Sequence, residues 1–70
     1  MKRKINKAND LIRGELKRQK ISQDKAAYYV GLSRGQFSVR LNGRQEWKIG
    51  ELMQLAELLK IGGQISEILF

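Results

Sequence analysis

The stretch SQDKAAYYVGLSRGQFSVRLNG, residues 22–43, holds two short segments of helical periodicity hinged at one glycine, Gly31. Ser22 is suited to cap the first segment, Asp24 stands in its opening turn near the positive end of the helix dipole, and Ala26, Ala27 and Val30 share one face. Gly31 falls where a C-terminal left-handed residue belongs. Ser33 is the next N-cap, and Phe37 and Leu41 stand one turn apart on the inner face of the second segment. Gly35 and Val39 then point most directly away from that face, with Gln36 and Ser38 on its flanks, while Arg34 is long enough to swing outward from the first turn. Asn42 and Gly43 close the segment with residues that tolerate φ > 0.

Helical spacing continues on both sides. A first helix is expected from Lys7 or Asn9 to Gln19, with Leu11, Ile12 and Leu16 inward and Arg13, Lys17 and Arg18 on its other face. Gly14 inside it costs about 1 kcal/mol relative to Ala, which points to the close approach of another backbone. Downstream, a fourth helix is expected from Ile49 or Gly50 to Leu59, packing Leu52, Leu55, Ala56 and Leu59, and a short fifth from about Gln64 carrying Ile65, Ile68 and Leu69. Proline is absent and strand alternation is nowhere sustained. The chain therefore reads as one all-α domain over residues 1–70, with residues 1–6 as a basic arm.

With 70 residues, there is room for one small core, which buries only about 60% of the unfolded surface. The absence of cysteine and histidine removes disulfides, thiolate chemistry and the commonest metal ligand, so neither a metal nor a cofactor is expected. No apolar run of signal-peptide or membrane-spanning length occurs, and a reducing cytoplasm is the expected location. The net charge of +7 is unevenly spread: residues 1–45 hold twelve Lys or Arg against three acids, a balance of +9, and residues 46–70 hold two against four, a balance of −2. Such asymmetry suits a polyanion, either nucleic acid or an anionic membrane surface.

From Ile21 to Arg44 the sequence resembles the helix-turn-helix core of the Cro and lambda-repressor type, the XRE family. That family's pattern of an apolar residue, Ser or Thr, Gln, an acid, a small residue, a turn Gly, an N-cap and a closing NG falls on Ile21, Ser22, Gln23, Asp24, Ala27, Gly31, Ser33, Asn42 and Gly43. The similarity extends from about Ile12 to Leu69, because IGELMQLAELLKI followed by ISEIL is similar to the family's fourth and fifth helices. It implies a compact five-helix, lambda-repressor-like fold whose third helix enters the DNA major groove.

The resemblance also assigns roles. Gln23 would anchor a phosphate and brace a recognition-helix side chain. Arg34 falls where relatives read base edges and can bond guanine O6 and N7 bidentately, a phosphate contact being its rival role. Gln36 and Val39 share that edge, where Gln pairs with adenine and Val touches a thymine methyl, and Gly35 permits close approach. Asn42 and Gly43 match a turn whose backbone N–H groups and amide grip phosphate, with capping as the alternative; Arg44 and Lys48 follow on the same loop. Lys17, Arg18 and Lys20 would flank the duplex or form a solvated face, and Ser33 and Ser38 complete the phosphate-contacting set.

Several residues depart from the pattern or stand outside it. Arg40 replaces a residue that is often apolar or aromatic, so its stem is expected to pack while its head reaches phosphate or an acid. Gly62 and Gly63 lengthen the usual turn before the fifth helix. Trp47 is expected over the core beside the fourth helix, a dimer contact being the alternative. Ile68, Leu69 and Phe70 suggest an interface between two copies, unless they fold back onto the first helix.

The expected function is that of a sequence-specific regulator of the phage-repressor type, binding double-stranded DNA as a homodimer and acting by occupancy. One alternative is a protein-interaction module, like an antitoxin or antirepressor, using the apolar surface of the fourth and fifth helices. A basic membrane-surface binder is another, opposed by the lack of an aromatic anchor on the outward face of the third helix. Seven dispersed carboxylates without a histidine partner form no recognisable enzyme site.

Overall fold

Among the described residues, five helices form where the apolar spacing places them, although two begin earlier than expected. The computed structural model describes the backbone of residues 2–69 and the side chains of residues 7–68. In chain order, α1 spans Lys2–Arg18, α2 Gln23–Tyr29, α3 Arg34–Leu41, α4 Ile49–Leu59 and α5 Gly62–Leu69. No strand occurs among the described residues. The body has principal extents of 27 × 24 × 19 Å. Among the described residues, no helix is long and apolar enough to cross a membrane.

The core joins all five helices. Ile12 and Leu16 of α1, Phe37 of α3 and Leu55 and Leu59 of α4 are almost wholly buried, and Ile65 of α5 closes one side. Ala26 and Ala27 are buried in α2 and let α3 pack closely over it. Trp47 belongs to this core: its ring meets Phe37 edge to face with centroids 5.4 Å apart, and its Nε1–H donates to Asn9 Oδ1 at 2.6 Å. Asn9 is 2% exposed and also donates through Nδ2 to the Arg40 carbonyl at 3.3 Å, so one amide joins α1 to the Trp47 loop and to α3.

The start of α1 corrects the expected boundary at Lys7 or Asn9, and residues 2–6, expected as an arm, are helical. No Gly or Pro interrupts that run, and among the side chains described the first buried residue of α1 is Ala8. Gly14 faces open space, with nothing within 4 Å of the position a Cβ would occupy, so no backbone approaches it.

Four helices end in the same way. A residue at positive φ follows the last turn at Lys20, Gly31, Gly43 and Lys60, and the next N–H returns to a carbonyl five residues back: Ile21 to Leu16, Leu32 to Ala27, Arg44 to Val39 and Ile61 to Ala56. Lys20 and Lys60, both at φ 59°, do with a side chain what Gly31 and Gly43 do without one. Because Lys60 makes the reversal, Gly62 and Gly63 do not lengthen the turn; they form the first turn of α5, where Ile65 N–H donates to Ile61 O.

Two consequences can be measured by urea unfolding. Asn9→Ala leaves the buried Trp47 indole N–H without its acceptor and should cost about 2 kcal/mol. Gly14→Ala, at an exposed and unobstructed helical position, should instead stabilise by about 0.5 to 1 kcal/mol.

Candidate nucleic-acid interface

The two sides of α3 are chemically different. Phe37, Arg40 and Leu41 are buried, whereas Arg34, Gly35 and Gln36 are exposed and Ser38 and Val39 half-buried. A Cβ added at Gly35 would meet nothing within 4 Å, so the outward surface of the helix is unobstructed there.

Both ends of α3 are fixed. At its start, Ser33 Oγ accepts from Gln36 N–H at 3.1 Å and Gln36 Oε1 accepts from Ser33 N–H at 3.0 Å, a reciprocal cap. At its end, Arg13 of α1 donates through Nη2 to Leu41 O at 2.9 Å and to Asn42 Oδ1 at 2.7 Å, placing a guanidinium at the negative end of the helix dipole. Between them, Arg40 is buried and donates through Nε to Glu51 Oε1 at 2.9 Å, with a further bond from Nη1 to Gln36 O at 3.3 Å. The same Glu51 oxygen accepts from Lys48 N–H at 2.9 Å, so one carboxylate caps α4 and holds α3.

These bonds give part of the expected phosphate-contacting set partners within the protein. Arg40 found an acid, not solvent: its side chain is 6% exposed and its charge is matched by Glu51. The N–H groups of Asn42, Gly43 and Arg44 donate to Ser38 O, Arg40 O and Val39 O, and the Asn42 amide is taken by Arg13 and Ser38. That turn is therefore a helix closure rather than an open backbone cradle, because the last carbonyls of α3 claim its donors. Gln36 keeps its exposure, but its carbonyl already serves the cap, so pairing with adenine competes with that bond.

Apart from Arg34, the remaining candidates lie outside α3, on α1, α2 and the loops. Lys17 and Gln23 line one recess of about 470 Å³ together with Arg13, Gly14, Leu16 and Ile21, between the end of α1 and the start of α2. Lys17, Lys20, Arg44 and Lys48 are exposed. Arg18 binds Glu15 at 2.6 Å; that hydrogen bond holds the Glu15 carboxyl below its ordinary range and raises the Arg18 guanidinium. Arg34 donates through Nη1 to Asp24 Oδ1 at 2.9 Å, a contact that spans α2 and α3. Arg13, expected on the face of α1 away from the core, thus holds the end of α3, and Asn9, expected only as a helix start, is a buried link. Asn9 carried a legible signal, since it falls on the stripe with Ile12 and Leu16.

A second surface lies on the opposite side of the charge asymmetry. Between α4 and α5, a groove of about 500 Å³ is lined by Ile49, Leu52, Met53, Ala56 and Ile65, with Glu57 and Lys60 among its polar residues. Ile49 and Met53 are 55% and 66% exposed. Tyr29 donates to Glu57 at 3.3 Å, and the adjacent carboxylate pushes its phenol up. Ile68, expected at an interface between copies, packs half-buried against the core; Phe70 and the Leu69 side chain lie outside the described residues. No group of His, Cys, Asp and Glu able to hold a metal occurs among the described residues.

Comparison with family models, characterised proteins and solved structures returns no match for this chain. Glu51→Ala should lower stability by about 3 kcal/mol by leaving the Arg40 charge buried and unpaired, whereas Arg40→Met combined with Glu51→Leu should recover most of that loss in urea unfolding.

Proposed function

We propose that the chain is a helix-turn-helix regulator of the lambda-repressor type that binds operator DNA as two copies. The observation that carries this reading is the free outward side of α3, where Arg34 and Gly35 stand exposed on a helix anchored by its opposite side. Supporting it, residues 30–33 join α2 to α3 in a four-residue connection, and Lys17, Lys20, Arg44 and Lys48 supply positive charge. In this reading α3 lies in the major groove, Arg34 reads guanine, Val39 touches a thymine methyl, and the surrounding lysines neutralise phosphates. Two copies occupy half-sites about 34 Å apart and block promoter elements in the cytoplasm.

The groove between α4 and α5, with Ile49 and Met53 exposed, favours a second reading as a protein-interaction module. Selection from a random duplex library at physiological salt separates the two. An enriched palindrome supports the regulator, and uniform recovery of all sequences refutes it. On the selected site, Arg34→Ala should cost about 1 to 3 kcal/mol and relax preference at one base pair, whereas Lys17→Ala should weaken selected and random duplexes alike.

A further inference from the structure

We infer that Asp24 is a specificity-determining residue, which holds Arg34 for base reading and disfavours its use on phosphate. The inference rests on the DNA-binding reading above and concerns a residue that contacts no base in it. Asp24 is the second helical residue after the Ser22 cap, whose Oγ accepts from Lys25 N–H at 3.1 Å; Arg34 is the first helical residue after the Ser33 cap. Caps at both starts and the close packing of α2 on α3 fix the two backbones relative to one another. The carboxylate and guanidinium then meet at 2.9 Å between residues ten apart in sequence.

Both side chains are largely exposed, 72% for Asp24 and 58% for Arg34, so the pair adds little to folding stability. Its effect is on direction. Arg34 uses Nη1 on Asp24, and among the described residues its Nε and Nη2 have no protein partner. The Nε–Nη2 edge carries two parallel N–H donors, the geometry that matches guanine O6 and N7. An arginine without this tether can rotate to any nearby phosphate, which strengthens binding without reading sequence. The Asp24 carboxylate also repels phosphate where Arg34 would otherwise reach it.

The test uses Asp24→Asn, Arg34→Ala and the double variant of the full chain, each bound to the selected duplex and to a random duplex over a range of salt. Asp24→Asn should keep the thermal midpoint, bind random duplex more tightly with a salt slope steeper by about 0.9, and lose about tenfold of its preference at one base pair. In the Arg34→Ala background the same change should leave preference unaltered at every position. Unchanged preference in Asp24→Asn, or an equal change with and without Arg34, overturns the inference while leaving the DNA-binding reading intact. A wild-type chain that selects no sequence overturns both. Should Asp24→Asn lower the thermal midpoint, Asp24→Ser, which removes the carboxylate and keeps a hydrogen-bonding side chain in the first turn, takes its place with the same expected loss of preference.

Discussion

An eight-residue helix is not stable alone in water, so the surface that α3 presents depends on what grips its inner side. Arg40 and Glu51 make the most constrained of those grips. A guanidinium with almost no access to water tolerates burial only with a matched charge and correctly placed acceptors, and Glu51 and the Gln36 carbonyl provide both. Phe37 against Trp47, Asn9 under Trp47, and Arg13 across the last carbonyls act in the same direction. Together they hold one side of a short helix inward and leave the other side to solvent.

That arrangement divides the basic residues into two groups with different physical roles. Arg13 and Arg40 serve the fold: the first neutralises a helix end and the second joins two helices. Lys17, Lys20, Arg44 and Lys48 remain exposed at the surface. Net charge alone would have counted all of them together. Arg34 stands between the groups, exposed yet paired with a neighbouring acid.

Much of the architecture was readable from local chemistry. Ser22 and Ser33 cap as their types imply, Gly31 and Gly43 take the left-handed conformation, and Phe37, Leu41, Leu52 and Leu55 enter the core at the expected helical spacing. At two helix ends a lysine stands where a glycine is the usual choice. Lys20 and Lys60 adopt a conformation that sequence reading reserves for glycine, because the following Ile21 and Ile61 are drawn toward the core and carry the turn with them. Once Lys60 makes that turn, Gly62 and Gly63 are free to begin α5 instead of lengthening a loop.

The sequence by itself determined the five helices, their apolar faces, most of their caps and the charge asymmetry, since each depends on residues within about one turn of one another or on simple composition. The tertiary structure decided which polar side chains are available. Asn9 meets Trp47 across 38 residues, Arg13 meets Leu41 across 28, and Gln19 reaches the Leu59 carbonyl across 40. Hydrogen bonds over such separations depend on how helices cross, and no local pattern encodes that. Arg40, Asn42 and Asp24 accordingly acquired their partners only when α3 was set against its neighbours.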